Sequence, residues 1–342
     1  MKLLLRKVMV AGLANRASAA LLKPLWDGRA SVFMLHRQYH PERALDGTTN
    51  ECIAGTIQAL RRAGARMVSL RYLFECASQG RDPEPGCVAF TIDDGYLDQG
   101  LLAREFLRHD CSATIFLVSG FIDRQLWPWD EQLAFSVLNS KTTSLQLPEV
   151  PGPISLDSLG QRHTAIDQLQ QYCKTIPWSQ VQPFLDRLWS HLESRPPDNP
   201  PEGHRPLSWD EIRELEAAGI DFAPHSVTHR VASQLSSAQS REEITTSWNR
   251  LQSELRTPLP VYAWPTGRTV DFGPRETQLA RELGLMGAVS TNDAYADFGR
   301  VQRTASDIFR IDRFAFAQNI DVNLQYGTAI ERLKQKARTF LQ

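Results

Sequence analysis

The amino-acid sequence predicts an α/β fold in which mostly parallel strands are covered by helices and broken by one helical insertion. Three observations carry that reading. Short apolar runs alternate with segments whose apolar residues recur at helical spacing, as β-α-β units require. Several of these runs stop on histidines or carboxylates, at the strand ends where parallel sheets present chemistry. Between residues 121 and 206 the alternation gives way to a polar, proline-bearing composition with helical spacing.

Taken in order, residues 1–30 form a basic N-terminal segment. Met1 to Leu25 mixes Leu, Val and Ala with Lys2, Arg6, Lys7, Arg16 and Lys23, which reads as an amphipathic helix. Such a helix packs on its own domain or lies on an anionic membrane, so peripheral membrane contact through residues 1–25 is one expectation. Its longest uncharged apolar run, Val8 to Ala14, is too short to span a bilayer. A cytoplasmic or inner-membrane-peripheral location fits this segment, and Ala17-Ser18-Ala19-Ala20, which resembles a cleavage site, keeps export open.

Residues 31–342 read as one catalytic domain. Ser31 to His36 is a buried strand ending on a histidine, followed by helical spacing over Cys52 to Ala63 and Leu70 to Ser78. Cys87 to Ile92 is a second buried strand, Leu97 to His109 a helix and Ser112 to Ser119 a third strand. In the insertion, Leu159 to Tyr172 and Ser179 to Leu192 have helical spacing, and Trp127 and Trp129 are either a sugar-sized groove wall or packing. A capping box, Ser208 with Glu211, opens the helix Trp209 to Ala218. Strand Ile220 to Ala223, helix Ser240 to Leu255, strand Val261 to Trp264, helix Pro274 to Leu283 and strand Gly287 to Thr291 resume the alternation. Ile308 to Phe316 is a candidate last strand and Ala329 to Leu341 a closing helix.

The 342 residues carry 38 basic and 39 acidic side chains, a net charge of -1, which gives no electrostatic reason to expect nucleic acid as a partner. A neutral or modestly charged substrate fits better. Five widely spaced cysteines with no CxxC pair support neither a disulfide framework nor a cysteine zinc site.

The chemistry concentrates at Phe90 to Leu97. Asp93 and Asp94 stand side by side at a buried strand end, where the charges need a metal or a basic partner; the plain alternative is a turn at Asp93-Asp94-Gly95. His225 and His229, four apart just past another strand, share a face if the backbone makes a helical turn. Two histidines with Asp94 make a three-ligand set for an open divalent site, Zn2+ first, with Co2+ or Ni2+ as alternatives.

Thr91-Ile92-Asp93-Asp94-Gly95-Tyr96 and His225-Ser226-Val227-Thr228-His229 together resemble the first two motifs of the polysaccharide deacetylases, the NodB-homology carbohydrate esterases. The resemblance implies a distorted (β/α) barrel of mostly parallel strands and removal of N-acetyl groups from an N-acetylated glycan. It implies Asp93 as catalytic base and Asp94, His225 and His229 as metal ligands. Phe33-Met34-Leu35-His36 is similar to the first-strand motif of the family's circularly permuted branch, which includes poly-N-acetylglucosamine deacetylases, and this makes His36 the general acid. The family's third motif is partly present as Trp264-Pro265-Thr266-Gly267, with the Thr266 N–H as oxyanion donor and Tyr96, Trp264 and Pro265 toward the sugar. The arginine that orients the base is absent at Tyr262; Arg313 and Arg268 are the candidates, with Arg313 preferred. A glycan-binding protein without turnover, or a deacylase or deformylase of a lipid-linked amino sugar, are the competing readings.

Overall fold

The structure is a computed structural model describing residues 10, 12–40, 47–299 and 308–340. Its strands are β1 Arg29–Leu35, β2 Arg66–Met67, β3 Cys87–Asp94, β4 Thr114–Leu117, β5 Ser144–Leu145, β6 Ile154–Ser155, β7 Asp221–Pro224, β8 Val261–Ala263, β9 Gly287–Val289, β10 Ala296–Asp297 and β11 Phe314–Ala315. β1, β3, β4 and β7 form consecutive parallel ladders, and β11 runs parallel to β1 on its other edge. β8 and β9 make a separate parallel pair. The Leu259 N–H donates to the Phe222 carbonyl, and Ile311 bridges to Val289, so β7, β8, β9 and the chain before β11 continue the curve back toward β1. The result is the expected distorted barrel, with β10 as an antiparallel addition to β1.

Burial explains the order. β3 is flanked by β1 and β4 and covered by the helix Leu97–Arg108, so its residues are apolar on both faces until the aspartates. Beneath that helix Phe90 meets Phe33 at 5.8 Å and Phe106 at 4.7 Å between ring centroids. Val10, Leu22 and Trp26 belong to the same core, so the described part of the N-terminal segment packs on its own domain. The helix Arg16–Leu22 lies there, while residues 1–9 and 11 of the expected amphipathic helix lie outside the described residues. Among the described residues no helix is long and apolar enough to cross a membrane.

The insertion has a core of its own, built around Leu133, Leu169, Phe184 and Leu188. It holds one helix that the spacing did not suggest, Trp129–Asn139, which starts directly after Pro128. Pro128 supplies a helix-start signal, but the neighbouring tryptophans read only as a groove wall or packing. Both tryptophans are buried, so packing is their role: Trp129 in the insertion core, Trp127 against Phe135. The expected strand Ile308 to Phe316 shrinks to β11. Asp312 and Arg313 interrupt it because their side chains bind Ser290, Asn292 and Asp93 inside the barrel.

Phe106 is fully buried against Phe90. Phe106→Ala is expected to cost about 3–5 kcal/mol, read as a lower urea midpoint; an unshifted midpoint would show that this aromatic layer does not hold the helix to the sheet.

Candidate active site

Asp93 and Asp94 share a strand end but face different surroundings, because successive side chains of a strand point to opposite faces. Asp93 is 1% exposed and points into the barrel, where Arg313 grips it with two hydrogen bonds of 2.8 and 2.7 Å. Arg313, with no exposed surface, also donates to the Ser290 carbonyl at 2.8 Å and to Thr91 Oγ1 at 3.0 Å. Burial alone would raise the Asp93 pKa. The Arg313 charge and hydrogen bonds, helped by His225 and His36, more than offset it and hold the carboxyl at about 2. Arg268 is engaged elsewhere, on Asp271 and Gln171.

Asp94 departs from strand geometry with φ 100, and Gly95 follows with φ 96. These two residues turn the chain into the next helix. A Cβ at Gly95 would lie 2.7 Å from Ile122 Cδ1, so both conformation and space require glycine. Asp94 Oδ1 lies 3.5 Å from His225 Nε2 and 3.5 Å from His229 Nε2, and donor atoms of the three residues all lie within 4.8 Å of one another.

The two histidines converge without the helical turn expected for them. They sit in a loop after β7 in which Ser226 has φ 68 and His229 φ 58, conformations that cost about 1–3 kcal/mol each where the surroundings must impose them. Those surroundings are present. Glu243, on the helix Ser237–Glu254, accepts from the Val227 and Thr228 N–H groups at 2.9 Å each. Ser226 Oγ accepts from the His229 N–H at 2.9 Å, and Trp129 Nε1 donates to the His229 carbonyl at 3.1 Å. Gly120 approaches so closely that a Cβ there would lie 2.6 Å from the Val227 carbonyl oxygen.

Each imidazole is anchored through Nδ1: His225 to the Ala263 carbonyl at 2.8 Å, His229 to Asp130 Oδ1 at 3.3 Å. With Nδ1 turned to these acceptors, both Nε2 atoms face Asp94, the arrangement of a three-ligand divalent site once Nε2 is unprotonated. Burial lowers the His229 pKa, but Asp130 and Asp94 on either side outweigh it and push the value up to about 9. The cluster therefore attracts positive charge, and a divalent ion with one carboxylate and two imidazole ligands satisfies the same demand.

His36 follows β1 and is exposed, on the rim of a cavity of about 390 Å³ also lined by Met34, Thr48, Phe316 and Gln318. Gln99, which has no exposed surface, ties the two strand ends together. Its amide donates to the His36 carbonyl at 2.7 Å and to the Asp93 carbonyl, and accepts from the Gly95 N–H at 2.7 Å. Next to His36, Arg37 is pinned by Asp98 at 3.1 Å and by Glu131 of the insertion at 3.0 Å.

The sugar-facing assignments need correction. Tyr96 has no exposed surface; it packs on Phe121 at 4.7 Å beneath the Arg37 guanidinium, 4.0 Å from its ring. Trp264 is likewise fully buried, stacked on Phe272 at 4.9 Å with Nε1 donating to the Phe309 carbonyl at 2.8 Å. Pro265 is buried as well, and of that motif only Thr266, at φ 57, is partly exposed. Both aromatics lie at the edge of the apolar core and fill it instead of lining the cleft. Gln99, Asp130 and Glu243 went unrecognised in the sequence. Asp130 and Glu243 act through contacts with residues on other elements, and Gln99, although local to Asp93 and Gly95, matters because it also reaches His36 at the end of β1.

Arg313→Met would strand a buried carboxylate and is expected to lower stability by about 3–5 kcal/mol in urea titrations at pH 7. The folded Asp93 value of about 2 lies below the ordinary value of about 3.9. Its pairing therefore stabilises the wild type above about pH 4, and that contribution is lost as pH falls through about 2. In Arg313→Met the sign should reverse, with stability rising from about pH 6 to pH 4 as the unpaired carboxylate is neutralised. Parallel pH profiles for the two proteins would refute the pairing.

The comparisons with known proteins agree with this fold. No curated protein matches the sequence. Among solved structures, the Streptococcus pyogenes deacetylase PplD in complex with acetate is similar, with a TM-score of 0.57 and 16% identity, covering 88% of this chain and 98% of that one. IcaB from Ammonifex degensii gives 0.53 and 15%, covering 88% and 97%. The BpsB deacetylase domain from Bordetella bronchiseptica gives 0.51 and 13%, covering 84% and 96%. At these identities the likeness establishes the fold. The polysaccharide deacetylase family model matches residues 80–288, more than half of the chain and the stretch that carries Asp93, Asp94, His225 and His229, and the chain belongs to that family.

Proposed function

We propose that the protein is a divalent-metal-dependent N-deacetylase acting on an N-acetylated amino sugar within a glycan. The observation that carries it is the convergence, at the C-terminal ends of β1, β3 and β7, of an arginine-paired carboxylate, an Asp-His-His cluster and an exposed histidine. Asp94, His225 and His229 would hold the ion. When bound, that ion supplies Lewis-acid polarisation and makes water acidic enough to ionise near neutral pH. Asp93, held ionised by Arg313, is the group we assign as proton acceptor, since it is unprotonated at neutral pH and would stand beside the ion's three ligands.

To His36, exposed after β1 and close enough to Asp93 and Asp94 to help hold both carboxyls ionised, we assign the proton for the departing amine. Arg37 and Gln99 hold its backbone in register with Asp93. The Thr266 N–H, after β8, is the donor we assign to the developing oxyanion. The similar S. pyogenes protein is a deacetylase solved with acetate, which supports acetate as the product here.

The test is acetate release from N-acetylglucosamine oligomers after chelation and readdition of Zn2+, Co2+ or Ni2+. Chelation should abolish turnover and an added ion restore it. Asp93→Asn and His36→Ala should each lower kcat by about 100- to 10,000-fold. Full acetate release by Asp93→Asn would sink the mechanism.

One observation favours a lipid-linked amino sugar as the glycan. Leu21 is 81% exposed beside Ala20 and Lys23, and Arg16, Lys23 and Arg61 line one cavity of about 690 Å³ in which Arg66 is paired with Glu84. That combination of an apolar knob and cationic groups suits an anionic bilayer surface. Flotation with anionic vesicles should carry the full chain and lose Leu21→Glu; equal flotation of both, or none by either, would count against membrane delivery.

A further inference from the structure

Three consecutive residues of the insertion, at the first turn of the helix Trp129–Asn139, reach into the site. Trp129 sits in the insertion core and donates to the His229 carbonyl at 3.1 Å. Asp130 meets His229 Nδ1 at 3.3 Å, and Glu131 holds Arg37 at 3.0 Å. The Asp130 backbone is itself fixed, since Gln170 of the helix Leu159–Cys173 donates to its carbonyl at 3.1 Å.

We propose that Asp130 is the positioning residue for the metal ligand His229, so that the insertion is part of the metal centre. This rests on the metal reading of Asp94, His225 and His229 given above. The argument is geometric. An imidazole has two nitrogens, and the one facing Asp94 can offer a lone pair only if the other carries the proton. Asp130 Oδ1, on the far side of the ring, accepts that proton and fixes the tautomer. It also fixes the rotation of a side chain whose backbone, at φ 58, does not hold itself in place.

His225 shows the contrast. Its Nδ1 donates to the Ala263 carbonyl, a neutral acceptor belonging to the barrel. The two ligands are therefore oriented by different layers, one by β8 and one by the insertion. A charged acceptor also makes the imidazole a stronger donor to a cation than a carbonyl does.

The experiment titrates the metal-free full chain with Zn2+ against a chromophoric chelator, with the visible spectrum of the Co2+ form as a second readout. Asp130→Ala should weaken Zn2+ binding by about 10- to 100-fold and alter the Co2+ bands. Asp130→Asn, which keeps an acceptor oxygen and loses the charge, should fall between Asp130→Ala and wild type. Leu133→Ala opens the insertion core, leaves Asp130 in place, and should lower stability while keeping wild-type affinity. Wild-type affinity in Asp130→Ala, or equal losses in Asp130→Ala and Leu133→Ala, would overturn the positioning role while the metal reading stands. A wild-type chain that takes up no ion would overturn both.

Discussion

Two adjacent carboxylates at a buried strand end are the constraint on which the rest of the structure depends. Leaving both ionised and unpaired in the interior would cost several kcal/mol each, so the fold must bring positive charge to each from elsewhere. It does so by two routes. Asp93 receives a permanent cation, Arg313, from a segment more than two hundred residues later. Asp94 receives two imidazoles, groups whose charge depends on what they bind. One carboxylate is thereby fixed as an anion and the other left ready for an ion.

The same constraint shapes the barrel. Arg313 can reach Asp93 only if the chain before β11 lies inside the curve between β9 and β1. There its side chain takes the Ser290 carbonyl and Thr91 Oγ1 as further acceptors. Barrel closure and the pairing of Asp93 with Arg313 are then one event. Four of the nine non-glycine residues with positive φ among the described residues, Asp94, Ser226, His229 and Thr266, belong to the site or its flanking loops. Glu243, Ser226 and Trp129 impose that geometry on the histidine loop through hydrogen bonds to its backbone.

This division explains what could be read from the sequence. The strands ending at Asp94 and before His225 were legible because burial on both faces makes them largely apolar, with Thr91 inside one and Asp221 opening the other. The ligand cluster was legible because its residue types are scarce and stand at strand ends. The barrel itself came from the resemblance, since local alternation specifies a parallel sheet and not its closure. The helix Trp129–Asn139 and the orientation of Tyr96 and Trp264 were not legible, because an aromatic at a strand end fits a core as well as it fits a cleft. Only the packing partners, Phe121 and Phe272, decide that: Phe121 is distant along the chain, and Phe272, though near Trp264 in sequence, meets it only through the fold of the loop after β8. Gln99 and Glu243 escaped for the related reason that each bonds to backbone, which any residue provides.

The insertion is the part of the chain that reads least like the family's alternation, yet its contacts are the most site-directed. Were it an independent appendage, its core would close on itself and its polar first turn would face water. Instead Trp129 donates out of that core to the His229 backbone, and Glu131 shares Arg37 with Asp98 of the barrel. Asp130 lies between them on the outer nitrogen of His229. One helical turn therefore contacts both the ligand loop after β7 and the strand end that bears His36. Those two segments share no ladder of their own, since β1 and β7 are separated by β3 and β4. A turn that contacts both links the strand end bearing His36 to the His229 loop without relying on the twist of the intervening strands.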